Sequence, residues 1–182
     1  REKSNEIDAI PRLLELLSLQ GCTVTIDAMG CQKEIASKIQ EQGAEYVLSL
    51  KKNHPKLHDA VEQYFQNTPE EKLQVHETTD GGEHARIEVR KYLLSTDIQW
   101  SNAETQWSGL KAFGAVISQR EINLKITTET RFFLTTLNDV KKFGAAVRNH
   151  WSIENSLHWV LDVDFNEDLS RARAGNSAYN LA

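Results

Sequence analysis

A chain of 182 residues, 40% hydrophobic and 26% charged, is long enough to bury a core as one domain, or as one domain carrying a large insertion. Its formal net charge of −5 excludes a surface that is basic throughout, while leaving local basic pairs such as Lys51-Lys52, Lys141-Lys142 and Arg171 with Arg173 open to a polyanion. No run approaches the roughly 18 apolar residues of a membrane span, the stretch Arg1 to Glu6 lacks the apolar core of a secretory signal, and Cys22 and Cys31 fit neither a disulfide framework nor a zinc spacing. The expectation is a cytoplasmic, non-membrane protein with reduced thiols, whose metal, if it has one, is held by oxygen or nitrogen. The chain begins without Met and stops at Asn180-Leu181-Ala182, inside what reads as an early helical turn, so a fragment at both ends is expected.

The first half alternates helix and strand. Ser4 or Asn5 caps a helix over Ile7, Ile10, Leu13, Leu14 and Leu17, with Pro11 tolerated only near its first turn and Gln20-Gly21 as its end. Cys22 to Ile26 is a short β-rich run that stops at Asp27. Gln32 to Gln42 is helical, with Ile35, Ala36 and Ile39 as its apolar face and Gly43 as its stop. Tyr46 to Leu50 is a second buried-type strand, and Pro55 opens a third helix over Lys56 to Phe65. Such an order predicts parallel strands with helices packed on the sheet.

From about Leu73 the pattern turns to strand. Leu73–Thr79, Ala85–Tyr92, Ala112–Ser118 and Thr130–Thr136 are strand-like, and Asp80-Gly81-Gly82 is a hairpin turn. We expect this antiparallel meander to pack beside the sheet that carries Asp27 without extending it. After Asn138-Asp139, an N-cap, the helical period resumes from Val140 to Leu161.

That last helix places a carboxylate on an apolar stripe. At about 3.6 residues per turn, Phe143, Val147, His150, Trp151, Glu154, Leu157, His158 and Leu161 share one face. A carboxylate there must be paired, hydrogen-bonded or bound to a metal. Asp27, at the carboxyl end of its strand, stands where open α/β sheets carry ligands and catalytic groups. Each residue alone has a plainer reading, Asp27 as a helix cap and Glu154 as one half of a structural pair. Together, two carboxylates from distant positions make a site for a hard divalent cation of the kind used in phosphoryl transfer.

The segments Thr25 to Ala36, Tyr46 to Asn53 and His150 to Asp168 resemble the H-repeat-associated group of bacterial insertion-sequence transposases, and the resemblance runs nearly end to end. It implies an α/β, ribonuclease H-like DDE catalytic core over residues 1–71 and 138–182, partial because its first strands are missing, with a β-rich insertion over 72–137. Asp27 matches the second acidic residue of the DDE triad and Glu154 the third; both are the implied catalytic and metal-holding residues. The first Asp, which the family carries on its first strand, lies upstream of Glu2 to Ile7 and is not in this chain. Around Glu154 the family's tyrosine, arginine and lysine positions are occupied by Val147, His150 and Leu161. The implied cofactor is Mg²⁺ or Mn²⁺, weakly bound here. The implied partners are transposon-end and target DNA, with a homodimer open and a nucleoid-associated location. The implied chemistry is metal-dependent hydrolysis at a transposon end, then attack of the freed 3′ hydroxyl on target DNA. With one of three ligands missing, little activity is expected of this chain alone. The alternative is a non-catalytic α/β module, binding DNA or a protein, that keeps the fold without the chemistry.

Other features have two readings each. Lys51, Lys52 and Asn53 follow a strand end and are candidate phosphate contacts, as are Arg148 and His150, or they are ordinary solvated side chains. His150, Glu154 and His158 form a ladder suited to a transition metal or to a satisfied core cluster. Trp100, Trp107, Trp151 and Trp159 are core residues or base-stacking platforms. Asp162, Asp164, Glu167 and Asp168 lack the glycine and spacing of a calcium loop.

Overall fold

The computed structural model describes residues 6–81, 87–122 and 125–153. The chain divides into two units, Arg1–Val147 and Arg148–Ala182. In the first, α1 (Glu6–Leu16) buries Leu14 and runs through Pro11 rather than starting at it. A proline there forfeits one intrahelical bond, and the packing of Leu14 and Ile10 on the core carries the helix past it. Then come β1 (Thr23–Ile26), a 3₁₀ turn over Ala28–Gly30, α2 (Lys33–Glu41) and β2 (Glu45–Leu50). Gly43, at φ +71°, takes the left-handed conformation that stops α2. β1 and β2 are parallel, from Thr23 beside Glu45 to Ile26 beside Leu48. α3 (Pro55–Asn67) starts at its proline.

The meander follows as β3 (Gln74–Gly81), β4 (Ile87–Ser95), β5 (Ala112–Ile122) and β6 (Lys125–Thr135). It does not form a separate sheet. The six strands make one sheet in the order β1-β2-β6-β5-β4-β3, with β6 antiparallel to β2 from Val47 beside Thr135 to Leu50 beside Phe132. The expectation that the meander would leave the Asp27 sheet unextended is therefore overturned. Its physical reason is the second edge of β2: Tyr46 to Leu48 and Leu50 are buried, so their backbone groups need partners that water cannot supply. β6 supplies them, and Thr135 Oγ1 donates to the Tyr46 carbonyl at 2.7 Å as well.

Strand alternation sorts the side chains onto two faces. One face packs Leu48, Leu50, Phe113, Ala115, Phe132 and Leu134 against Leu14 of α1, Ile35 and Ile39 of α2 and Val61 of α3. The other carries α4 (Val140–Ile153). Asp139 caps α4 as expected, its Oδ1 accepting from the amides of Lys141 and Lys142, both at 2.9 Å. Those amide bonds, the Lys142 one foremost, hold the Asp139 carboxyl below its ordinary range. The Val140 amide donates to Gln74 Oε1 on β3 at 3.1 Å. One turn later Phe143 lies edge-on to Tyr92 of β4 and Phe133 of β6, over Gly114 of β5. In the second unit the described residues are 148–153, the end of α4, where Ser152 Oγ donates to the Asn149 carbonyl at 2.9 Å. Among the described residues no helix is long and apolar enough to cross a membrane.

A Cβ on Gly114 would stand 2.4 Å from the Phe143 ring, which is itself fully buried. Gly114→Ala should therefore cost about 1–3 kcal/mol through displacement of α4, read as a lower denaturant midpoint. An unchanged midpoint would mean that the ring does not seat on Gly114.

Candidate active site at the end of strand β1

Asp27 stands at the point where β1 gives way to the 3₁₀ turn. Val24 and Ile26 pack toward the face covered by α1–α3. The backbone stays extended through Asp27, at φ −65° and ψ 169°, so the alternation continues and Asp27 projects from the opposite face, the one that α4 occupies lower down. The residue begins the 3₁₀ turn through its backbone carbonyl, which accepts from the Gly30 amide at 3.0 Å. Its side chain makes no capping hydrogen bond and is exposed. The plain reading of Asp27 as a side-chain helix cap therefore does not hold.

The turns after β1 and β2 are stitched together. Asn53 Nδ2 donates to the Ala28 carbonyl at 2.6 Å, and His54 Nε2 lies 2.6 Å from the Cys31 carbonyl, with its ring edge-on to the buried Trp107. Parallel pairing of β1 and β2 brings both carboxyl ends to one edge, so Lys51, Lys52 and Asn53, all exposed, flank the Asp27 turn. Asn53 thus has a structural task that its position in the sequence did not disclose. Cys31 beneath the turn is fully buried, and loss of hydration pushes its thiol up to about 12.

Glu154, His158, Trp159 and Asp162 to Asp168 lie outside the described residues, as do Arg171 and Arg173. Arg148 is exposed and His150 half-buried, its ring edge-on to Trp151. Of the remaining tryptophans, Trp107 is core and Trp100 stacks on Tyr64 with centroids 4.7 Å apart, which favours packing over base stacking for both.

The sequence reading passed over His58, Asp59 and Glu62 on α3, whose ligand atoms lie within 4.8 Å of one another. His58 Nδ1 is 3.2 Å from Asp59 and 4.0 Å from Glu62, and its ring meets Phe132 edge-on, on the face away from Asp27. The i, i+1, i+4 spacing was the available signal. It also missed Glu88, which is almost fully buried between Arg90 and Arg120. A strand-period pattern gives no warning of a buried charge.

The model of the Transposase DDE domain family matches residues 1–182. The chain belongs to that family. "Putative transposase YncI" of Escherichia coli O157:H7 is 43% identical over 97% of this chain and 47% of its own length. "H repeat-associated putative transposase YhhI" of Escherichia coli strain K12 is 38% identical over 97% of the chain and 49% of its own length. "Putative protein YbfL" of the same strain is 39% identical with the same two shares. The chain thus spans about half the length of the curated relatives it matches. No solved structure matches it. The mixed α/β architecture, with a six-stranded sheet and four α-helices among the described residues, is consistent with a DDE transposase domain.

Two measurements check this site. Cys22 is exposed and Cys31 buried, so a thiol reagent near pH 8 should label Cys22 alone until denaturant is added, and native labelling of Cys31 would contradict the packing under the Asp27 turn. Asn53→Ala should cost about 0.5–1.5 kcal/mol and speed hydrogen exchange at Gly30 and Cys31. Unchanged exchange would show that the Asn53 bond does not hold the turn.

Proposed function

We propose that this chain is the catalytic portion of a DDE transposase that cuts and joins DNA at the ends of a bacterial insertion sequence. The observation that carries the reading is Asp27: an exposed carboxylate at the carboxyl end of a sheet strand, in a chain of the Transposase DDE domain family. In this reading Asp27 and Glu154 are the second and third acidic residues of the triad. The first has no counterpart among these 182 residues. The core is ribonuclease H-like over residues 1–71 and 138–182, and 72–137 is an insertion whose strands continue the core sheet. Among the described residues β1 is the edge strand of that sheet, and a strand bearing the first Asp would pair along it.

Asp27 and Glu154 would hold Mg²⁺ or Mn²⁺. The donor set suits such an ion, since hard cations take carboxylate oxygens and the nearby thiol of Cys31 is buried and protonated. When bound, the metal supplies charge that stabilises the attacking and leaving oxygens at phosphorus. Asn53 fixes the turn behind Asp27 and so fixes the direction of its carboxylate. Lys51 and Lys52 offset phosphate charge beside it, and Arg148 and His150 serve the same end on α4. DNA is the partner, and the protein contributes chiefly positioning and charge.

The test uses labelled linear DNA with Mg²⁺ or Mn²⁺. The 182-residue polypeptide should be nearly inert, and a longer version that adds an upstream Asp-bearing strand should nick or join DNA. Within the longer version, Asp27→Asn or Glu154→Gln should lower the rate by more than about a hundredfold, since even groups that only orient ligands are worth 10–100-fold. Activity that survives either change would remove that residue from the mechanism. Metal-dependent nicking by the short polypeptide would refute the need for a third carboxylate, and DNA binding without nicking in both versions would favour a non-catalytic module.

A further inference from the structure

Beyond the core the sheet runs on as a polar arm. Along β6 the residues Lys125 to Thr130 are exposed and Arg131 is half-buried before Phe132 to Thr135 become buried. Because β6 is antiparallel to β2, this arm extends past the carboxyl ends of β1 and β2, the edge that carries Asp27. Phe132 packs on the face of α1–α3, so Arg131 and Glu129 stand on the opposite face, which is also that of Asp27. Arg120 of β5, opposite Thr127, is the diagonal neighbour of Glu129 on that face. Lys51 follows Leu50, whose partner is Phe132, and so adjoins Arg131.

The charges there are unequal. Arg131 grips Glu129 with both arms of its guanidinium, Nε to Oε1 at 2.7 Å and Nη2 to Oε2 at 2.8 Å. The Glu129 carboxyl is held below its ordinary range, first by that Arg131 hydrogen bond, with partial burial opposing and the charges of Arg131, Arg120 and Lys51 adding. Arg131, Arg120 and Lys51 thus face the exposed Glu129, with Arg120 shared with Glu88 of the next strand. One strand further out Arg90 binds both Asp80 and Glu88, and Arg120 Nη2 also reaches Glu88 at 3.5 Å, so four cations meet three carboxylates across the whole cluster and the excess lies toward Lys51 and Arg131. The planar fork that holds a carboxylate by two parallel bonds is also the fork that holds a phosphate.

We propose that Glu129 occupies the place of a DNA backbone phosphate in a clamp made by Arg131, Arg120 and Lys51, and that DNA binds there by displacing it. This rests on the reading of DNA as the partner. Lys51 and Arg131 are positioning residues: they lie one and two strands from β1, within about 10 Å of its line, so a DNA strand held by them passes Asp27. Glu129 keeps the clamp preformed while setting a threshold for occupancy. A duplex, with its dense phosphates, competes with the carboxylate, and an isolated monoanion does so poorly.

Fluorescence anisotropy of a labelled duplex, titrated with the 182-residue chain at several salt concentrations, tests this. Glu129→Gln removes the competing carboxylate and should tighten binding about three- to tenfold, whereas Arg131→Gln should weaken it and lower the salt slope by about one. Arg131→Lys keeps the charge without the fork and should retain the salt slope but lose affinity. The double variant should behave like Arg131→Gln, because the gain from Glu129→Gln requires the clamp. Thermal melting of each variant reports whether it folds, and the exposed Glu129→Gln change is decisive on its own. Binding by the parent that Glu129→Gln leaves unchanged or weakens overturns the clamp while leaving DNA as partner. Failure of the folded parent to bind any duplex at low salt overturns the DNA reading and the clamp with it.

Discussion

The pairing of β2 with β6 is the constraint on which the rest of the structure depends. β2 is the hinge of two architectures, parallel to β1 on one side and antiparallel to β6 on the other. Its far end is locked by side chains as well as by the ladder: the Tyr46 amide donates to Thr136 Oγ1 at 2.9 Å, and Thr135 Oγ1 donates to the Tyr46 carbonyl. Both threonines are almost completely buried. Buried hydroxyls of this kind are costly unless bonded, so they specify register as well as adding stability. A slip of one residue would turn Phe132 and Leu134 away from α3 and strand the threonines. The same register sets Lys51 next to Arg131, and through β1 it sets both near Asp27.

Most of the element order was legible because two periods, near 3.6 and 2, dominate the sequence. Ile35, Ala36 and Ile39 announced α2, Gly43 its end, and Asp139 the start of α4, each through a local rule that tertiary structure did not override. The lengths of β5 and β6 were less legible. Ala112 to Ser118 and Thr130 to Thr136 read as strands because they alternate or bury apolar residues. The actual strands run to Ile122 and back to Lys125. Apart from Ile122 and the exposed Ile126 these outer portions are polar, so no hydrophobic alternation marks them. They are strands because cross-strand pairing propagates from the core and because threonines suit a pleated surface.

The topology was misread for a related reason. A meander between two α/β stretches can pack as its own sheet or join the existing one, and hydrophobic patterning is the same in either case. The decision lies in the backbone hydrogen bonds of β2, which leave no trace in side-chain composition. The site was half legible. Asp27 followed from its strand end, but the tasks of Asn53 and His54 did not, since both bond to backbone carbonyls of a turn that is distant in sequence. Glu129 and Arg131 carry no motif of their own, and the role proposed for them rests on Lys51 and Arg120 on neighbouring strands.

Local arrangement also reconciles the overall charge with a polyanionic partner. A chain of net charge −5 repels DNA at long range, and at roughly physiological salt that repulsion is screened beyond about 8 Å. What remains at contact is the near field, where Lys51, Arg120 and Arg131 surround Glu129, Arg120 being shared with Glu88. Some acidic residues elsewhere, Glu15 paired with Lys38 and Glu70 paired with Lys91, lie in compensated pairs that contribute little at that range. In the proposed clamp, an acidic chain that binds only where its cations are preformed would gain selectivity from its own charge: approach would be discouraged away from the arm, and a strand held by the arm would already be beside Asp27.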